Sequence, residues 1–169
     1  MERTKKLTLT AVMVALVCVG TMVINIPMPA TNGFVNIGDS MIFITSILFG
    51  PTVGMIAGGI GSALADILLG YAHWAPFTLV IKGLEGFVVG YIVRKSLSKG
   101  RMVFGTLAGA AIMIIGYYIA GGVLYDFAVS LKDIPGNIIQ GASSIAIGVP
   151  IAIAIGNTSY FRNNIKSKV

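Results

Sequence analysis

Long apolar runs alternate with short polar breaks along the whole chain. Apart from the short second one, each run is close to the ~20 residues an α-helix needs to cross a bilayer. The pattern predicts an all-α integral membrane protein, a single transmembrane domain over residues 1–169 with six helices. They are placed at about 6–24, 39–50, 52–69, 74–93, 102–124 and 137–155. The first run follows Arg3, Lys5 and Lys6, as a signal peptide would. It is long, however, and residues 25–30 make a poor small-residue cleavage site, so it reads as a retained helix. Residues 25–38 carry Pro27, Pro29, Asn32, Gly33 and Asn36 and read as a loop. Asp39 reads as the N-cap of the second helix, and Gly50-Pro51 reads as the tight turn that ends it. Gly50, Gly54, Gly58 and Ser62 recur every four residues, a spacing that lets helix backbones approach closely in lipid.

The fourth run breaks the apolar rule from within. Lys82 and Glu85 lie three residues apart, on one face of a helix that opens at Trp74. Lys82 is eight residues from Trp74, about 12 Å of helix rise, which places it near mid-membrane. A charge there costs several kcal/mol, so such residues face a partner or a polar cavity. Other polar residues gather in the same half of the bundle: Asn36 and Asp39 before and in the second helix, Asp66 at the end of the third, His73 and Trp74 at the start of the fourth. Tyr117, Tyr118 and Tyr125 follow on the fifth, and Asn137, Gln140 and Ser144 on the sixth. The opposite half is rich in Gly and Ala. This asymmetry predicts a small-molecule pocket lined by Asn36, Asp39, Trp74, Lys82, Glu85, Tyr117, Asn137, Gln140 and Ser144. The alternative is that these groups only satisfy one another. Asp66 either caps a neighbouring element or reaches the ligand.

Composition agrees with the pattern. The chain is 56% hydrophobic and 11% charged, with a mean hydropathy of +0.90, where a soluble domain carries about 25% charge. The net charge of +6 does not point to nucleic acid, because the basic residues cluster between apolar runs. Ten of the twelve fall on one side if the termini are cytoplasmic: Arg3, Lys5, Lys6, Arg94, Lys95, Lys99, Arg101, Arg162, Lys166 and Lys168. That is the positive-inside signal, and it puts the polar half outside. One Cys (Cys18) and one His (His73) form no metal-ligand set. No nucleophile–base motif or phosphate-binding loop is present, so neither catalysis, a bound cofactor nor ATP binding by this chain is expected.

The run Val35-Asn-Ile-Gly-Asp39, then Leu48-Phe-Gly-Pro51, Gly58-Gly-Ile-Gly-Ser-Ala-Leu-Ala-Asp66, Ala75-Pro-Phe-Thr78 and Lys82-Gly-Leu-Glu-Gly86, resembles one family in this order. It is similar to the substrate-binding S components of energy-coupling factor (ECF) vitamin transporters, over nearly the whole chain. Ala11 and Ala15 match that family's small-residue motif on the first helix. The resemblance implies a multi-pass protein of a prokaryotic cell membrane that captures a vitamin or precursor from outside under a loop lid. It implies docking through Ala11 and Ala15 on a transmembrane coupling subunit with two ATPases, which use the ATP. The pattern looks closest to the riboflavin-type branch, which also holds pyridoxine- and hydroxymethylpyrimidine-type carriers. A Glu that accepts from an N–H and a Lys that pairs with a phenolate favour a B6 vitamer or hydroxymethylpyrimidine, with riboflavin next. The competing reading is a self-sufficient secondary transporter or channel. Against it, no charge relay continues across the membrane and no inverted repeat is evident.

Overall fold

The computed structural model describes residues 3–159 and 161; Arg162, Lys166 and Lys168 lie outside the described residues. The chain folds as helices around one small hairpin. In order these are α1 (Arg3–Val23), β1 (Asn25–Met28), β2 (Gly33–Asn36), α2 (Gly38–Phe49) and α3 (Pro51–Leu68). They continue with α4 (Ala75–Val93), α5 (Lys99–Leu124), a short α6 (Phe127–Ser130) with a turn of 3-10 helix, and α7 (Ile134–Gly156). Five helical segments are long and apolar enough to cross a membrane; α2 is apolar but has only 12 residues.

α2 is the hub. Ten of its twelve residues are buried, and it touches α1, α3, α4 and α7. The tightest crossing is α3 on α4, where the absence of side chains sets the distance. A Cβ on Gly58 would stand 2.6 Å from the Lys82 carbonyl oxygen, and one on Gly59 would stand 2.7 Å from that of Leu79. The four-residue glycine spacing is therefore a packing seam, as its sequence suggests. A second seam joins α7 to α2, where a Cβ on Gly148 would stand 3.0 Å from the Ser40 carbonyl oxygen. Gly50 ends α2 at φ 85°, a conformation that favours glycine, and Pro51 opens α3 where its missing N–H costs nothing.

Four local expectations change. Residues 25–36 are not a plain loop: β1 and β2 pair antiparallel, Asn25 with Asn36 and Met28 with Gly33. The turn between them holds Asn32 at φ 47°, a left-handed position that Asn tolerates. Asp39 is not an N-cap. Helix α2 starts one residue earlier, its cap position is Ile37, and no side chain caps it. An ammonium within reach is a stronger partner for a buried carboxylate than a backbone N–H, and Lys82 provides it. Third, α5 begins at Lys99, because the Ser98 hydroxyl accepts the Arg101 N–H at 3.4 Å. Fourth, α7 begins at Ile134 with Pro135 in its first turn, and Asp126 caps the extra turn α6 by accepting the Ala128 N–H at 2.7 Å.

The depth of α2 explains the hairpin. Asp39, in its first turn, contacts Lys82, about 12 Å along α4 from Trp74. The start of α2 is thus sunk well below the start of α4, rather than lying at the membrane surface. The hairpin fills the space above it. Non-helical backbone inside a membrane bundle persists where it is buried in protein or lines a cavity, and here Met28, Thr31, Gly33, Phe34 and Asn36 line one.

Candidate functional site

One face of α4 carries Trp74, Thr78, Lys82 and Glu85, all buried. Their spacing, near multiples of a helical turn, keeps them in one stripe. α7 answers with Asn137, Gln140 and Ser144 at the same kind of spacing, also buried. Between the two helices lies the sunken start of α2 with Asp39.

These residues form two layers. The deeper is an ion cluster. The Lys82 ammonium donates to Glu85 Oε2 at 2.9 Å and to Asp39 Oδ1. Gln140 Nε2 donates to Asp39 Oδ2 at 2.8 Å, and the Asn36 N–H donates to Gln140 Oε1 at 2.9 Å. Asn36 Oδ1 in turn accepts the Gly38 N–H at 2.8 Å. The network runs from α4 through α2 and α7 to β2, so it fixes the hairpin relative to three helices. The Lys82 ammonium also stands 5.4 Å from the centroid of the Tyr117 ring, within cation–π range. Such a cluster adds less net stability than its Coulomb attraction suggests, because desolvation offsets it. Its contribution is to hold one geometry.

The upper layer is a pocket roofed by the hairpin. Met28, Thr31, Gly33, Phe34 and Asn36 come from the hairpin and Asp66 from α3. Trp74 and Thr78 come from α4, Tyr117 from α5, and Asp133, Asn137 and Gln140 from the α7 end. Aromatic rings make one wall. Trp74 meets Tyr117 edge-on with centroids 5.8 Å apart and lies 6.2 Å from Tyr125. The Thr78 and Tyr117 hydroxyls share a hydrogen bond of 3.1 Å. The hairpin is pinned at its rim, where the Thr31 hydroxyl donates to Asp133 Oδ2 and the Phe34 ring meets Tyr71 at 4.8 Å. The space between the walls, mouth included, is about 420 Å³.

Of the nine residues expected to line a pocket, Asn36, Trp74, Tyr117, Asn137 and Gln140 do so. Asp39, Lys82 and Glu85 sit behind the wall and reach it through Gln140. Ser144 is buried one turn further along α7, its hydroxyl without a protein partner, and does not line the pocket. Sequence reasoning missed Thr78, whose signal was its place midway between Trp74 and Lys82 on the same stripe. It also missed the latch pair Thr31–Asp133, 102 residues apart, for which no local signal exists. Asp66, left undecided from sequence, lines the pocket. Ala11 and Ala15 are exposed on the flank of α1 and are not part of the internal core.

The structure is thus a bundle of helices apolar enough to cross a membrane, with a polar, roofed pocket in one half. Sequence comparison specifies it further: the chain belongs to the family of ECF-type riboflavin transporter S components, whose family model matches residues 1–157. It is thus a transporter component of the prokaryotic membrane, of a family that takes small vitamin-like substrates and works with ECF partners. It is 46% identical over 132 residues to an uncharacterized protein in a gap 3' region of Pyrococcus woesei, covering 78% of this chain and 88% of that one. It is 31% identical over 137 residues to the thiamine precursor transporter HmpT of Lactococcus lactis, covering 80% of this chain and 78% of that one. It is also 33% identical over 138 residues to a UPF0397 protein of Streptococcus pneumoniae, covering 78% and 75%.

Proposed function

We propose that this chain is the substrate-capture subunit of an ATP-driven ECF-type importer and binds a small heteroaromatic vitamin or precursor in the hairpin-roofed pocket. The observation that carries the reading is the pocket itself: aromatic walls, a few placed polar groups, a floor fixed by a buried ion cluster and a hairpin roof pinned at its rim by the Thr31–Asp133 contact. A hydroxymethylpyrimidine is favoured, because the relative HmpT is named a thiamine precursor transporter and the pocket is narrow. A B6 vitamer comes next to it on the same chemistry, and riboflavin follows.

The topology we propose has six spans. α2 and the hairpin above it together make the second crossing, with both termini cytoplasmic. Arg3, Lys5, Lys6, Arg94, Lys95, Lys99 and Arg101 mark the α1-start end of the bundle, in agreement with the positive-inside rule. The pocket then opens outward in the cell membrane. Asn36, Trp74, Tyr117, Asn137 and Gln140 contact the ligand. Asp39, Lys82 and Glu85 hold Gln140 and Asn36 in position, and Ser144 backs the floor. Ala11 and Ala15 dock on the coupling subunit, whose two ATPases use the ATP. Methyl-sized side chains exposed on α1 suit close approach of a partner helix.

Mass spectrometry of the purified protein for a co-purified vitamin, followed by thermal-shift measurements with a vitamin panel, tests the proposal. One heteroaromatic compound is expected to co-purify or to raise the melting temperature without ATP. Absence of both refutes it.

A further inference from the structure

Two buried polar side chains face the pocket and take no part in the ion cluster. Asp66 is 3% exposed and Trp74 is 6% exposed. Asp66 Oδ2 and Trp74 Nε1 have no hydrogen-bond partner within the protein, and both residues line the pocket. An ionised carboxylate only accepts, and an indole N–H only donates. Buried groups of this kind are costly to leave unmade. Together they specify a ligand that presents one donor and one acceptor.

Charge balance narrows the ligand further. Among the described residues the buried charged side chains are four acids, Asp39, Asp66, Glu85 and Asp133, and one base, Lys82. Both ion pairs of Lys82 go to Asp39 and Glu85, and Asp133 takes the Thr31 hydroxyl. No ion pair of Lys82 reaches Asp66. A buried carboxyl with no ion-pair partner favours a ligand that brings positive charge or strongly polarised N–H groups.

We infer that Asp66 and Trp74 read the polar edge of the ligand and select an amino-substituted, protonatable nitrogen heteroaromatic over an imide-bearing one. An amino group beside a ring nitrogen supplies the donor for Asp66 and the acceptor for Trp74, and a proton on a second ring nitrogen leaves that acceptor free while strengthening the amino group as a donor. An imide edge sets two carbonyl oxygens beside its N–H. Those oxygens meet the carboxylate with repulsion, and one indole N–H satisfies only one of them. The Trp74–Tyr117 wall gives the ring an aromatic contact.

This inference rests on the vitamin-capture reading above. Its test is calorimetric titration of the full-length protein in detergent. The probes are hydroxymethylpyrimidine with its ring amino group, the dioxo analogue 5-hydroxymethyluracil, whose edge is an imide, and riboflavin. The amino compound is expected to bind wild type about tenfold or more tighter than the dioxo analogue. Asp66→Asn is expected to weaken the amino compound about 10- to 100-fold and to erase the preference, since an amide accepts from one ligand and donates to the other. Trp74→Phe keeps the aromatic wall and is expected to weaken the amino compound about tenfold. Equal binding of the two pyrimidines by wild type, a preference for riboflavin, or unchanged selectivity in Asp66→Asn overturns the inference while vitamin capture stands. No binding of any of the vitamins overturns both. The wild-type comparison needs no variant, so a misfolded Asp66→Asn does not shield the inference.

Discussion

Replacing Lys82 by Met removes the only buried cation among the described residues while keeping a side chain of similar length. Asp39 and Glu85 are then left 1% and 0% exposed with no ammonium between them. Breaking a buried ion pair by removing one partner costs about 3–5 kcal/mol, because the remaining charge stays desolvated. For a chain of this size each kcal/mol moves the melting temperature by about 2–4 °C, so the expected drop is about 6–20 °C. Glu85→Gln is a much milder change. Lys82 keeps Asp39, and Glu85 Oε1 has no partner to lose. Its expected drop is within about 5 °C. Adding Asp39→Asn and Glu85→Gln to Lys82→Met removes the orphaned charges and is expected to recover most of the loss. Trp74 is the single tryptophan of the chain and sits at the pocket wall. Its fluorescence during thermal unfolding in detergent therefore reads the relevant region without a label. A Lys82→Met protein that melts within about 2 °C of wild type, or a triple variant less stable than the single, refutes the claim that the ion cluster fixes the pocket floor.

Other consequences follow from the same contacts. Thr31→Val or Asp133→Ala removes the hairpin latch and is expected to speed ligand release about 10- to 100-fold, read by stopped-flow Trp74 fluorescence; an unchanged release rate means the hairpin is not the gate. Gly58→Leu places a side chain against the Lys82 carbonyl oxygen at the α3–α4 seam, where even a Cβ stands at 2.6 Å; loss of a monodisperse peak in size-exclusion chromatography is expected, and a wild-type profile contradicts the seam. Ala11→Leu with Ala15→Leu alters only an exposed flank of α1. It is expected to leave ligand binding intact and abolish co-purification with the coupling subunit, whereas loss of ligand binding places these residues in the chain's own packing.

The helices, the Lys82–Glu85 pair and the polar stripe of α7 were legible because each is a local pattern. Apolar length reports a membrane helix, and i, i+3 spacing reports a shared face. What was not legible depends on contacts distant in sequence. Asp39 looks like an N-cap because Asp before an apolar run usually is one. Its true partners, Lys82 and Gln140, are 43 and 101 residues away. The hairpin was hidden because its strands are four residues long and carry Pro27, a residue that weakens any strand assignment. Its existence follows from the depth of Asp39, which only the ion pair reveals. Asp66 was left between two roles for the same reason: whether a carboxylate caps a helix or faces a cavity depends on its neighbours in space.

The central claim is capture without self-powered transport. The direct measurement is uptake and binding of radiolabelled hydroxymethylpyrimidine by liposomes that contain this chain alone. Binding of one ligand per chain that saturates, exchanges with unlabelled ligand and does not accumulate in the lumen is the predicted result. Luminal accumulation, with or without an ion gradient, would show a self-sufficient transporter and contradict the account.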